Sequence, residues 1–200
     1  DAQESRGLGD VYKRQVVHLA KSKWVWVGMS VLRRKNQVGF WVACSAVVVV
    51  AAVALTWMRR VSCLMPTNKM VDAIWFGQLQ SKDSSIQHTG DNRTGAGDGD
   101  DEVINVNLSR IPDHVQALVF TVNSFTGQTF ATVNNAFYRL VNASNNSEVA
   151  RYDLSAQGSH TALILAKIYR HNGEWKMHAI GETASGRTFH DLMPAILPHV

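Results

Sequence analysis

The segment ALILAKIYRHNGEWKMHAI, residues 162–180, carries the pattern that decides the fold class. Branched and aromatic residues with partial alternation indicate two strands, over 162–170 and 174–180. The dipeptide Asn172-Gly173 lies between them. It is the strongest short hairpin signal, because a type I′ turn requires positive φ at both central residues. This segment therefore predicts an antiparallel β-hairpin.

Strand patterns also precede the hairpin. Five further strands are predicted, over 71–76, 103–108, 117–123, 136–142 and 148–153. Residues 126–133 are compatible with one helical turn or a loop, and 189–197 with a short terminal helix limited by Pro194 and Pro198. Short strands with frequent turns predict an all-β chain, folded as a β-sandwich with a short C-terminal helix.

An acidic, glycine-rich segment enters one of these strands. It reads GDNRTGAGDGDDE over 90–102, with five acidic residues and four glycines in thirteen positions. Carboxylates supply charged oxygens, and glycines let the backbone turn tightly enough to direct several oxygens at one point, as a hard cation requires. The EF-hand pattern is absent, because no Glu follows at the required position. A solvated acidic turn is the alternative interpretation.

Longer motifs support the cation interpretation. HTGDNRTGAGDGDDEVINVNLSRIP (88–112) resembles the signature of the TerD family of tellurium-resistance and stress proteins. Further similar stretches follow in order: LVFTVNSFTGQTFATVNNAFYRLVN (118–142), EVARYDLS (148–155) and YRHNGEWKMHAIGE (169–182). NSFTGQ and the ending GRTFHDLMPAILPHV are similar to the TerZ/TerE-type branch of that family. The resemblance covers about residues 70–200 and also implies a β-sandwich.

The resemblance implies calcium binding by acidic groups from two places, a DLD motif and the acidic segment. The candidate ligands carried over are Asp91, Asn92, Asp98, Asp100, Asp101 and Glu102. Because successive residues of an extended chain point to opposite sides, Asp100 and Glu102 are expected to face together and Asp101 away. The DLD motif is missing from this sequence.

The first third of the chain differs in charge from the rest. Residues 1–70 hold eleven Lys/Arg against three Asp/Glu, a net +8, whereas 71–200 hold nine against thirteen, a net −4. The basic pI therefore belongs to the first segment, and it does not predict nucleic-acid binding by the remainder. Residues 39–58 are long and apolar enough for a membrane helix crossing ~30 Å of hydrocarbon.

We interpret this front segment as a reading-frame artefact. Residues 10–15, DVYKRQ, match a translated transposon-end sequencing adapter. With one choice of codons, a one-base shift turns WVWVGMS (24–30) into MGLGWDV, converts the tetravaline to glycine, and turns 56–66 into a stretch resembling the family's DLDAS motif. The predicted division is therefore 1–15 adapter-like, 16–68 frameshifted and 70–200 TerD-like.

Loss of the genuine N-terminal strands would open a sheet edge. Trp75, Phe76 and Val119 are the residues predicted to be incompletely covered.

The functional prediction is a calcium-binding, non-enzymatic stress or tellurite-resistance protein acting as a scaffold or sensor. It is expected to be cytoplasmic, with calcium ions and other tellurite-resistance proteins as partners. Two alternatives stay open: a membrane-anchored module using helix 39–58, and a metal-dependent hydrolase using the acidic loop with His88. No catalytic residue is predicted, because no nucleophile and base share a known spacing. Cys44 and Cys63, the two cysteines, both lie in the front segment.

Overall fold

The computed structural model describes residues 16–19, 25–31, 42–52, 67–89, 102–124, 127, 129–132, 136–153 and 158–200. These residues form eleven strands: β1 (Val16–Leu19), β2 (Val25–Val31), β3 (Val42–Ala52), β4 (Thr67–Ile74), β5 (Ile86–His88), β6 (Glu102–Val106), β7 (Ala117–Ser124), β8 (Ala136–Asn142), β9 (Ser147–Asp153), β10 (Ala162–His171) and β11 (Glu174–Ala184). Helix α1 (Phe189–Ile196) follows, with 3₁₀ turns at Phe130–Thr132 and Leu197–His199.

The strands form two antiparallel sheets. The six-stranded sheet has the order β1-β11-β10-β7-β3-β4, and the five-stranded sheet has the order β5-β6-β2-β8-β9. The predicted hairpin is confirmed as β10–β11, with φ of 51° at Asn172 and 76° at Gly173, the sign that a type I′ turn requires. The all-β prediction is therefore confirmed, and so is the short C-terminal helix.

Alternation along β7 divides its side chains between two cores. Leu118, Phe120 and Val122 belong to the cluster between the sheets. Val119 faces the other way and packs with Leu192 and Ile196 of α1. Burial of both faces explains why this central strand reads as a nearly continuous apolar run.

Helix α1 begins at a reciprocal cap. The Thr188 side chain accepts from the backbone N–H of Asp191, and the Asp191 carboxylate accepts from the backbone N–H of Thr188 at 2.9 Å. This capping box satisfies donors that a helix start leaves without partners.

The front segment contributes strands to both sheets. β3 lies between β7 and β4, and β2 lies between β6 and β8. The helix that hydropathy indicates over 39–58 is wrong for residues 42–52, because this valine-rich run pairs along both of its edges in the six-stranded sheet. Over the described parts of the chain, no helix has the length and apolar character that crossing a bilayer requires. The reading-frame interpretation stays a prediction.

The strands of the front segment bear on the three residues that were predicted to be incompletely covered. Val119 is fully buried, so its predicted exposure is wrong, because β3 flanks β7 and α1 covers that face. Phe76 is 39% exposed, as expected, and Trp75 is partly buried against the Phe76 ring at 4.6 Å between centroids. β4 remains at the edge of its sheet.

A bulge in β10 leaves a backbone carbonyl that accepts a hydrogen bond from the opposite sheet. Pairing with both β7 and β11 shifts between Ile164 and Ala166, so Leu165 has no partner residue in either ladder. The Tyr138 hydroxyl on β8 donates to the Leu165 carbonyl at 3.1 Å. Burial raises the pKa of Tyr138 well above its usual range, so the hydroxyl keeps its proton.

We expect Tyr138→Phe to lower the free energy of unfolding by about 1–3 kcal/mol, because a buried carbonyl loses its donor. Tyr152→Phe is the matched control. Its ring stacks on Tyr138 at 5.7 Å between centroids and is more exposed, so a smaller loss is expected. Urea denaturation of both variants measures the difference. Equal losses would show that the bond to Leu165 contributes nothing specific.

Candidate functional site

The acidic segment connects two strands at one end of the sandwich, called here the loop end. β5 ends there at His88, and β6 begins there at Glu102. β7 ends at the loop end, and β8 begins there. Likewise, β9 ends at the loop end, and β10 begins there. The β7–β8 and β9–β10 connections therefore link the two sheets at the loop end.

A pair of hydrogen bonds closes the base of the acidic segment. The Thr89 backbone N–H donates to the Val103 carbonyl at 2.9 Å, and the Val103 N–H donates to the Thr89 hydroxyl at 3.1 Å. The two ends of the loop are therefore held side by side.

Glu102 faces the interior at the foot of this loop. It follows the inward alternation of β6 with Ile104 and Val106, and it is 5% exposed. His88, 2% exposed, faces the same interior from β5, with its Nε2 3.9 Å from Glu102 Oε2. A buried carboxylate requires a charged partner, hydrogen bonds or a metal, since desolvation otherwise disfavours its ionised form.

Of the predicted ligands, the structure describes Glu102. Its inward orientation differs from that of a residue in a solvated turn. The other predicted ligands lie outside the described residues: Asp91, Asn92, Asp98, Asp100 and Asp101. Within the described ranges, no group of three His, Cys, Asp or Glu side chains is arranged to hold a metal ion.

Two further polar residues at the loop end were not predicted from the sequence. Ser124 ends β7 with its backbone N–H donating to the Thr161 carbonyl at 2.8 Å. His160 precedes β10, and its ring stacks on Phe130 at 5.1 Å between centroids. Burial lowers the pKa of His160, which favours the neutral imidazole. In the sequence, Ser124 reads only as the residue after a predicted strand.

The β4–β5 connection holds a second acidic group. Asp83 accepts from the Ser81 hydroxyl at 2.5 Å and from the Ser85 hydroxyl at 2.7 Å. Burial raises the pKa of Asp83, but these bonds outweigh it and leave the pKa below its usual value. A cleft of about 230 Å³ adjoins this turn, with Val71, Ile86, Ile111 and Val115 in its wall. With a third bond from the Ser85 backbone N–H at 3.0 Å, Asp83 Oδ1 accepts three hydrogen bonds, the pattern of a structural turn.

Two antiparallel sheets, with the polar residues His88, Glu102 and Ser124 buried at the loop end, define a loop-bearing antiparallel β-sandwich. The family model described as "TerD domain" matches residues 60–194. The chain therefore belongs to the TerD domain family, which confirms the resemblance of its motifs.

Curated relatives extend this comparison. The chain is 51% identical over 134 residues to tellurium resistance protein TerZ of Serratia marcescens, covering 67% of this chain and 69% of that protein. It is 47% identical to tellurium resistance protein TerD of the same organism, covering 58% and 62% respectively. General stress protein 16U of Bacillus subtilis is 45% identical, with 58% and 62% covered. The chain thus spans less than two thirds of the length of the last two relatives.

Solved structures support the fold alone. A protein of unknown function, SAV2460, matches with a TM-score of 0.68 at 21% identity, covering 87% of this chain and 98% of that chain. A homologue of the telluride resistance protein TerD from Streptomyces coelicolor matches with a TM-score of 0.67 at 20% identity, covering 82% and 91%.

Proposed function

We propose that this chain is a calcium-binding, non-enzymatic protein of the tellurium-resistance and stress-response group, acting as a scaffold or sensor. Membership of the TerD domain family and the names of its relatives support the biological setting. The proposed ligands are Glu102 and the acidic residues of the loop before it. We further propose a cytoplasmic location and other tellurite-resistance proteins as partners.

The observation that carries the proposal is the buried Glu102 carboxylate at the closed neck of the acidic loop. Glu102 is 5% exposed and faces the space between the sheets. The loop before it holds four Asp residues, at 91, 98, 100 and 101. With Glu102, the sequence holds five carboxylates within thirteen positions, and like charges this close along the chain repel one another unless a cation lies among them. This arrangement favours a cation-loaded state.

Calcium suits the donor set better than other divalent ions. Calcium accepts six to eight oxygens in flexible geometry at about 2.3–2.6 Å, whereas magnesium requires a tight octahedron and retains its waters. A glycine-rich loop can follow the first geometry. Softer metals prefer thiolate and imidazole ligands, and residues 70–200 contain no cysteine.

A scaffold or sensor role fits a site whose proposed side chains are oxygen ligands for a cation. The relatives' names, tellurium resistance and general stress, state no enzymatic activity. The His88 imidazole lies beside the candidate carboxylate, with its Nε2 3.9 Å from Glu102 Oε2. In this proposal the pair stabilises the base of the loop, and the ordering of the loop by calcium is the signal.

Calcium is expected to raise the melting temperature (Tm) of the full chain, because it binds the folded state preferentially. At a free concentration one hundred times Kd, the gain in unfolding free energy is about 2.7 kcal/mol. Magnesium at equal concentration should raise Tm less. Differential scanning calorimetry after chelation, with either ion added back, measures both. An unchanged Tm at millimolar calcium, with no heat of binding by calorimetric titration, would refute the proposal.

A further inference from the structure

The described part of the chain concentrates its exposed large apolar side chains in one short segment. They are Val71 on β4 and, shortly after that strand, Phe76 and Leu79, which are 37%, 39% and 44% exposed respectively. Single exposed apolar residues need no explanation, but several on one surface mark a site of contact with another molecule. These three residues are called here the apolar edge, because β4 is the outermost strand of its sheet.

A tight turn carries the Phe76 side chain and leads directly to Leu79. The backbones of Trp75 and Gln78 bond each other twice, with N···O distances of 3.1 and 2.9 Å. The Trp75 indole lies so close to Gly77 that a Cβ there would be 2.7 Å from the ring, an approach that only glycine allows. The turn is therefore held in one conformation by its own contacts, which lowers the entropy cost of binding through it.

The cleft beside the β4–β5 connection adjoins the apolar edge. Val71 belongs to both, because it also forms part of the cleft wall. Asp72, which lines the cleft as well, accepts from the Gln78 side chain at 2.8 Å and from the Lys82 backbone N–H at 2.9 Å. The turn and the cleft are thus bonded to the same residue of β4 and lie next to each other.

This surface is complementary to itself in shape and in charge. It offers exposed apolar side chains and, beside them, a largely apolar cleft of about 230 Å³ that can receive such side chains. Lys82 and Asp83 lie next to each other at the cleft, so the same surface also carries charges of both signs. A two-fold axis brings one patch of a chain against the same patch of a second copy, which allows each lysine to meet an aspartate.

Backbone pairing between two β4 edges does not fit the local structure. The register of β4 against β3 shifts at Val71, which has no partner residue on β3. A bulge of this kind bends an edge strand and blocks its extension by a further strand. A contact through this edge therefore uses side chains.

We propose that the chain forms a symmetric dimer through the apolar edge, in which the turn of each copy packs against the cleft of the other. The inference is independent of the calcium function proposed above, because it uses residues at a different edge of the sandwich. Stable dimers bury about 1,200–2,000 Å² or more. A patch built on a few exposed side chains gives a weaker association that depends on protein concentration.

The first test compares Leu79→Asp with Ala143→Asp in the full chain by sedimentation velocity over a concentration series. Leu79 is the most exposed residue of the apolar edge, and a charge there should raise the Kd of the dimer by at least about tenfold. Ala143 is an exposed apolar residue in the turn between β8 and β9 of the other sheet, so its variant should dimerise like the parent chain. Both variants should keep the Tm of the dilute parent.

A parent chain that stays monomeric throughout the series would overturn the inference. Leu79→Asp with an unchanged dimer Kd would overturn it as well. If Leu79→Asp lowers the Tm of the dilute protein, Val71→Ser repeats the comparison at the cleft wall. An unchanged dimer Kd in Val71→Ser would then overturn the inference.

A further variant tests the charge complementarity without changing an apolar residue. Lys82→Glu leaves the cleft with acidic groups only, so the two copies should repel each other at low salt and the Kd of the dimer should rise. Salt screens exposed charges, so the Kd should return toward that of the parent at about 1 M salt. A Kd equal to that of the parent at low salt would contradict the two-fold arrangement proposed for this edge.

Discussion

Replacing Asp100 and Glu102 together by Asn and Gln is expected to abolish most of the calcium-dependent rise in Tm. The replacements keep side-chain size and remove two negative charges from the proposed site. Without calcium, the double variant should be as stable as the parent or slightly more stable, because repulsion among the carboxylates falls. Calorimetric scans with calcium and with chelator measure the effect.

The matched control removes the same number of negative charges at positions away from the proposed site. Asp113→Asn with Glu174→Gln removes one aspartate and one glutamate from exposed positions, of which Glu174 begins β11 at the hairpin turn. This control should keep the full calcium response. If Asp100→Asn with Glu102→Gln also keeps it, the acidic segment is a solvated turn and the site assignment is wrong.

Trp175→Ala is expected to cause a large loss of stability, about 3–5 kcal/mol, typical of an aromatic residue removed from a core. Trp175 is 8% exposed, and its indole N–H donates to the Leu108 carbonyl at 3.1 Å. The Arg170 guanidinium lies over the ring at 4.4 Å from its centroid. Arg170 in turn donates to the carbonyls of Ile111 at 2.8 Å and Val115 at 3.2 Å.

Loss of the indole therefore removes packing and a hydrogen bond, and it also loosens the connection between β6 and β7. Trp75→Ala is the control for removing a tryptophan as such. Trp75 is partly exposed next to Phe76, so a loss nearer about 1 kcal/mol is expected. Urea denaturation with tryptophan fluorescence compares the two variants. Similar losses would show that the buried indole has no special role in holding the connection.

The sequence alone determined those features that depend on local chemistry. The hairpin follows from Asn172-Gly173, because few residue pairs tolerate positive φ at two successive positions. Of the eight strands that the structure describes after residue 66, seven were predicted, most within a few residues of their observed bounds, since periodicity reports which side of a strand is buried. β5 was missed, because a strand of three residues carries too little pattern.

The front segment shows where local pattern is insufficient. Its valine-rich run satisfies the hydropathy rule for a membrane helix, yet residues 42–52 form a strand. Hydropathy reports how apolar a segment is, and neighbouring strands with free backbone groups determine whether that segment pairs. β7 and β4 provide those groups, and they begin 65 and 15 residues, respectively, after the end of β3.

The candidate site divides in the same way. Composition indicated a cation loop, because carboxylates and glycines have chemical properties that do not depend on the fold. The tertiary structure alone decided that Glu102 faces inward beside His88, and that Ser124 reaches the same end from the opposite sheet. Sequence periodicity shows which side chains of one strand point to the same face of the sheet. Only the packing of two sheets decides which distant residues share the space between them.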